Sequence, residues 1–449
     1  MKIIKILILF IFIFVGLGNT YVSQAARFDY TSGFQVQNLA NSDASITLSF
    51  YNTSDGLLAS QATSTIPALG SSNFFPINAP DGFKGSVVIS STQPLASITN
   101  LIASDSTGRV AVASYIGFST GNDEVFLPLL HYNNNNWYTW FSVQNIGSLD
   151  ADVTVSYSDG TTATFNGIKP GATHVFDQFT EAHTQNVLSA RVNSNQALAI
   201  TVLEENATTK AVLAYNGFST TETNALIPLV NVNNRNYQTG IQLQNNGAIT
   251  STITLTYYPT VGTQCTETHV IESGKSATYA YNAFRGLPLE AGASTTCIQG
   301  QTFVGSANVT QNSANVNLNA IINQVNTSNG YGSAYSSFIS GGLTNKVVFP
   351  LIMDRNNGWY TGFNLMNAGD QEVTVNCVFT NTSYTVSGTL EPGEALNAVQ
   401  NGAIASGYVG SGTCTASGIG TNLISGVVNE IGTYGVDRMM TYEGLNANP

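Results

Sequence analysis

Gly33-Phe-Gln-Val-Gln-Asn38 returns along the chain as Trp140-Phe-Ser-Val-Gln-Asn145, Gly240-Ile-Gln-Leu-Gln-Asn245 and Gly362-Phe-Asn-Leu-Met-Asn367. Successive copies are offset by 107, 100 and 122 residues. A second mark follows each copy: Ile66-Pro-Ala-Leu-Gly70, Ile168-Lys-Pro-Gly171, Ile271-Glu-Ser-Gly274 and Leu390-Glu-Pro-Gly393. A third is an aromatic near each unit's end, Tyr115, Tyr215, Tyr335 and Tyr442. Three marks in one order at one period mean four homologous units of about 100 residues each.

Within a unit the apolar period is two. In Asp152-Val-Thr-Val-Ser-Tyr157 and Ser251-Thr-Ile-Thr-Leu-Thr-Tyr257, apolar side chains alternate with hydroxyl residues, the pattern of a half-buried strand. Turn chemistry punctuates these runs at Ser158-Asp-Gly160, Lys169-Pro-Gly171 and Asn245-Asn-Gly247. No stretch after the leader keeps a helical apolar period. The second unit reads as eight short strands, from Val125 to Leu130, Thr139 to Gln144, Asp152 to Tyr157, Ala163 to Phe165, Ala172 to Phe176, Val187 to Val192, Ala197 to Leu203 and Ala211 to Tyr215. Eight short strands suffice for two packed antiparallel sheets.

The strand, the Asn-Gly-type turn, the Val-Thr-Val strand and the Pro-Gly turn resemble tandem immunoglobulin-like modules of prokaryotic secreted or cell-surface proteins, including Hydin-type and major-sperm-protein-like β-sandwiches. The resemblance covers the whole chain after its leader. It implies an all-β chain of four tandem immunoglobulin-like antiparallel sandwiches, of the kind that serve as stalks, adhesins, surface-layer or fibre subunits.

The 449 residues include 14 Lys+Arg, 26 Asp+Glu and 48 Asn. Uncharged amides thus outnumber all formal charges together, where globular chains carry about a quarter charged residues. Asn, Ser, Thr and Gly must keep such a surface soluble, which points outside the cytoplasm. A net charge of −12 without basic runs removes the electrostatic basis for nucleic-acid binding or attraction to an anionic membrane. At the N-terminus Lys2 and Lys5 precede an apolar run to Val15, then Gly16 and Gly18, then the small-residue site Ser23-Gln-Ala25. These are the parts of a secretory signal peptide. Residues 1–25 are therefore expected as a cleaved leader, and 26–121, 122–221, 222–343 and 344–449 as the four repeats. The first repeat has no counterpart of Leu127-Pro-Leu129, Ile227-Pro-Leu229 and Phe349-Pro-Leu351 and so lacks its first strand.

The four cysteines fall two per unit. Separate domains keep partners apart, so Cys265 is expected to bridge Cys297, and Cys377 to bridge Cys414. No Cys-x-x-Cys or nearby His cluster favours zinc instead. Asn52, Asn206, Asn308, Asn326 and Asn381 begin Asn-x-Ser/Thr sequons, although a chain this rich in Asn, Ser and Thr produces several by composition alone.

No catalytic constellation survives comparison between repeats. Gly117-Phe-Ser-Thr-Gly121 matches a nucleophile elbow, but the next repeat reads Gly217-Phe-Ser-Thr-Thr221, so the match is a repeat-end turn. His131, His174, His183 and His269 occupy different repeat positions, show no metal spacing and are expected as surface or loop residues. Asn122-Asp-Glu124 could attract Ca²⁺, but the later junctions offer Glu222 and then Lys346. Glu204-Glu205 are adjacent strand residues, expected on opposite faces and solvated. Trp137, Trp140 and Trp359 are candidate glycan contacts beside Asn-rich loops, or else caps on the sandwich ends.

The expectation is thus a secreted structural protein and not an enzyme, needing no cofactor or metal, a subunit of an extracellular fibre or cell-surface layer. Its partners would be copies of itself, meeting head-to-tail through a first-repeat open edge running from Phe34 to Asn38 and the C-terminal segment. The alternatives are a carbohydrate-binding adhesin recognising cell-surface polysaccharide, and an accessory non-catalytic part of a secreted enzyme system.

Overall fold

Alternation of apolar and hydroxyl residues becomes alternation of burial. Ala151–Tyr157 and Val373–Phe379 each bury every second side chain, as strands with one face on a core require. The computed structural model describes residues 6–7, 28–220, 223–311, 317–329, 331–433 and 439–447. These are almost entirely antiparallel β-structure. The expected cleavage site after Ala25 lies outside the described residues.

Every repeat uses the same eight strand positions. In the third they are Leu226–Val232, Tyr237–Asn245, Ser251–Val261, Cys265–Ile271, Ser276–Tyr279, Phe303–Gln311, Leu318–Asn326 and Gly332–Ser336. One sheet has the order first, sixth, third, fourth, and the other fifth, second, seventh, eighth. The first and fourth repeats show the same two orders. In the second repeat a single strand, Val187–Asn206, supplies both sixth and seventh positions and joins the two sheets. The sandwich-like core lies between the sheets. Aromatic pairs such as Phe34 with Phe74 and Phe141 with Phe176 stack there, with centroids 5.0 and 5.2 Å apart.

The wide 122-residue offset has a local cause. Between its fifth and sixth strands the third repeat inserts a short helix, Tyr281–Arg285, and a two-residue strand, Ser294–Thr295. Cys297 bonds Cys265 and staples this insertion to the fourth strand. Cys377 and Cys414 face each other across the third and sixth strands of the last repeat and are also bonded. Both pairings are those expected.

The Asn-rich loops have a backbone reason. Asn133, Asn135 and Asn136 all have positive φ, as do Asn233, Arg235 and Asn236, and then Arg355, Asn357 and Gly358. One three-residue left-handed pattern thus recurs between the first two strands, and Asn tolerates it better than most side chains.

The last residue of the hexapeptide is the most repeated device. Asn38, Asn145, Asn245 and Asn367 are wholly buried. Each amide donates to the carbonyl four residues on and to the end of the fourth strand, and each accepts from the backbone N–H two residues on. For Asn245 the partners are Ile249 O at 2.8 Å, Ile271 O at 2.9 Å and Gly247 N at 2.9 Å. For Asn145 they are Leu149 O, Ile168 O and Gly147 N, at 2.7, 2.7 and 2.8 Å. The side chain therefore satisfies backbone groups of a turn and a neighbouring strand that the ladders leave over.

Asn245→Ala strands these groups in the interior. It is expected to cost about 2–3 kcal/mol, whereas exposed Asn41→Ala should stay within about 0.5 kcal/mol. Equilibrium urea unfolding of the two variants checks the difference.

Candidate functional site

The residues left over from building each sandwich converge on the seams between repeats. In three of the four repeats the seventh strand carries one apolar side chain out of its own sandwich. Ile321 of the third repeat enters the core of the second, and Val427 of the fourth enters that of the third. Ile98 of the first repeat enters the core of the fourth. All three hold one register position, opposite Gln242, Asn364 and Gln35 of their second strands. The four repeats therefore close on themselves, and the last seam joins the two ends of one chain.

Polar contacts repeat in the same cyclic order. Asn323 donates to Glu204 across the second seam at 2.8 Å. Asn100 donates to Glu430 across the closing seam at 2.9 Å. A serine of the sixth strand ties each repeat to the Pro-Gly or Ser-Gly turn of the next: Ser86 to Gly171 O, Ser189 to Gly274 O and Ser306 to Gly393 O. The eighth strands meet around the centre. Asn216 donates to Ile116 O at 2.8 Å, Ser333 and Thr441 share a bond of 2.6 Å, and Ser114 donates to Thr441 O at 2.9 Å. Packing between the second and third eighth strands completes the circle.

The repeat-end tyrosines anchor this centre to the sandwiches. Tyr215, Tyr335 and Tyr442 are buried and donate to the carbonyls of Leu129, Leu229 and Leu351. Each acceptor follows the proline of the first strand, where the register shifts at a bulge. Proline brings no N–H to the ladder and tolerates such a bulge, and the following carbonyl turns to the tyrosine.

The first seam differs. Trp140 stands where the other repeats have glycine, and it packs with Phe28, Tyr30, Leu101 and Leu203. Its indole and the Tyr30 hydroxyl both donate to Glu205 at 2.5 Å. Trp140 is thus buried between two repeats, and no sugar reaches it there. Trp137 and Trp359 are half-buried at their strand starts, Trp137 beside His131. Glu204 and Glu205 do point to opposite faces, but Glu204 is fully buried, a correction to the solvated reading. The facing repeat covers it.

His131 and His269 are buried in strands, a departure from the expected surface or loop placement, whereas His183 does lie in a loop. His131 is buried with Nε2 3.0 Å from Glu204, and the His183 ring is enclosed 3.4 Å from Asp159. His269 is buried with Nε2 2.9 Å from Glu267 and Nδ1 3.4 Å from Glu290. Burial opposes its charge, yet its contacts with Glu267 and Glu290 prevail and hold its pKa near 9. His174 is half-buried, and burial lowers it to about 4. Among the described residues no group of three or more His, Cys, Asp or Glu side chains is placed to hold a metal ion. Gly117-Phe-Ser-Thr-Gly121 ends in a bridge and bend without a helix.

Among the sequons Asn381 is exposed in a turn, Asn52, Asn308 and Asn326 are half-buried, and Asn206 is buried. Asn206 and Asn326 end their seventh strands and accept from the N–H groups of Thr208 and Ser328. Turn chemistry alone accounts for their side chains.

The expected open edge is corrected as well. Asp29–Asn38, which contains Phe34 and Asn38, is paired on both sides, with Ser71–Phe74 and with Leu95–Ser104. The C-terminal strand Leu445–Asn446 pairs with Lys346–Asp354 of its own repeat. Ala447 packs on Ala96 and Leu39 of the first repeat. Both surfaces expected to meet neighbouring molecules are thus used within one chain.

No family model matches the chain, and no curated protein matches its sequence. Among solved structures, an α-L-rhamnosidase of Streptomyces avermitilis complexed with L-rhamnose is similar at 8% identity and a TM-score of 0.13, over 86% of this chain and 54% of that one. The chain spans about half that enzyme's length, and so low a score carries no argument.

Glu430 gives the closing seam a pH dependence. Burial raises its pKa to about 8, only partly offset by the bond from Asn100. A carboxyl raised above its unfolded value stabilises fully below that value, near 4.5, and the contribution is lost as pH rises through about 8. The third repeat already holds an amide, Gln324, at this position. Glu430→Gln is therefore expected to melt higher than the parent at pH 8.5, by roughly 2–4 °C per kcal/mol regained, with no gain at pH 4. Thermal melts across this range check it.

Proposed function

We propose that the chain is a secreted structural protein, a building block of an extracellular fibre or cell-surface layer, made of four immunoglobulin-like modules with boundaries at 121, 221 and 343. One observation carries this reading: the residues that recur from repeat to repeat are spent on cohesion, inside each module for the asparagines and tyrosines and between modules for the serines and seam residues. The buried asparagines, the tyrosine ties, the serine contacts with glycine carbonyls and the seam residues all serve cohesion. Two disulfides fit an oxidising exterior, and among the described residues no helix is long and apolar enough to cross a membrane. Copies would meet through the outward-facing sheets, because the first and last repeats already face each other. Strand edges there, such as Thr162–Ile168, are largely exposed.

Fractionation of native cells with antibody detection, followed by negative-stain imaging, tests the proposal. The protein is expected in envelope or extracellular material as regular arrays or filaments. Recovery only as free monomer would reject a structural role. Retention on polysaccharide that is lost in Trp137→Ala and Trp359→Ala would favour the adhesin instead.

A further inference from the structure

The first repeat does have a strand at the position of its missing first strand. Ile6–Leu7, within the apolar N-terminal run, pairs antiparallel with Gly85–Ser91, Ile6 opposite Ser90 and Leu7 opposite Ile89. The register matches the other repeats. Across third, sixth and first strands the first repeat aligns Leu48, Ile89 and Leu7. The second repeat aligns Val155, Val192 and Val125, and the fourth Cys377, Cys414 and Val347. In the third, Val309 stands opposite Leu255 and donates to Ala225 O. Ile89, Val192, Val309 and Cys414 all sit in their repeats' cores. The leader thus occupies the row that Val125 and Val347 fill elsewhere. From that row to the hexapeptide the other repeats use 15 residues, whereas Leu7 to Gly33 takes 26, so the connection has length to spare.

We propose that the outer edge of Gly85–Ser91 is a binding site for an extended apolar strand, and that its occupant is the chain's own N-terminal run. The ligand class follows from the row: an aliphatic residue opposite Ile89 within a segment whose backbone completes the ladder. An uncovered edge offers unpaired N–H and C=O groups that recruit other strands, and strand addition satisfies them with pockets for alternate side chains. The leader then does two jobs, directing export and closing the first repeat until it is removed. Cleavage after Ala25 takes the strand away and leaves the site open. This inference is independent of whether the protein builds a fibre or a layer.

Hydrogen exchange on the full chain and on a chain starting at Ala26 tests it. Amides of Gly85–Ser91 that point away from Ala44–Asn52 are expected to exchange at least tenfold faster in the shortened chain. The free peptide Asn-Asp-Glu-Val-Phe-Leu-Pro-Leu-Leu-His, the first strand of the second repeat, should restore protection, and a scrambled peptide should not. Equal protection in the shortened monomer would overturn the proposal. Protection that appears only as either chain self-associates would assign the edge to a second copy and overturn the proposed occupant. Should the shortened chain fail to fold, Leu7→Cys with Ile89→Cys in the full chain keeps the question open to decision. A crosslink within one chain is expected; none, or one between chains, contradicts it.

Discussion

One side chain at each of three seams carries the architecture. The seventh strand of a repeat presents an isoleucine or valine on the face turned away from its own core, and that side chain is buried only if another repeat receives it. Burying such a side chain is worth about 1.5–3 kcal/mol. Ile321 and Val427 find receivers in the repeats before them in sequence. Ile98, in the first repeat, has no preceding repeat, and it finds one in the fourth. Three modules need a neighbour on the same side, and the first of them is satisfied only if the chain closes on its fourth repeat; the eighth strands meet around the centre of that arrangement.

The first seam shows that the rule is chemical and not merely geometric. Where the second seam sets Glu204 against Asn323 and the closing seam sets Glu430 against Asn100, the first sets Leu101 against Leu203. Both members change together, polar with polar and apolar with apolar. The outward aliphatic position is Thr201 in the second repeat, whose receiving module has Ile6–Leu7 in place of a ten-residue first strand such as Asn122–His131. Trp140, replacing a glycine, brings its bulk to this seam and a donor to Glu205. A module with a different first strand is thus met by a neighbour with a different face.

Much of this was legible in the residues. The hexapeptide, the Pro-Gly turns and the period of two placed the repeats, the strands and both disulfides, because these depend on neighbours close in sequence or inside one module. Closure is not legible there, although Leu101 and Leu203 break the Glu–Asn pattern together, since that signal appears only once strands are aligned by register. Glu204 escapes a sequence reading for a related reason: whether a strand's outer face is wet depends on which module lies against it, here the one that brings Asn323, whereas His183 and His269 are enclosed by groups of their own modules, such as Asp159 and Glu290, that lie far from them in sequence. Phe34 lies on no open edge because the first strand's position is beside Gly85–Ser91, in the other sheet.

A distance between the first and fourth repeats tests closure most directly. Asn41, Ser148, Ala248 and Asp370 occupy the same exposed turn in the four repeats. Spin labels at 41 and 370, measured by double electron–electron resonance, should give a narrow distribution matching that of labels at 148 and 248, because the closing seam repeats the contacts of the second. A 41–370 distance much longer than the 148–248 distance, or a broad distribution, would mean that the modules stand in a row, and would contradict closure.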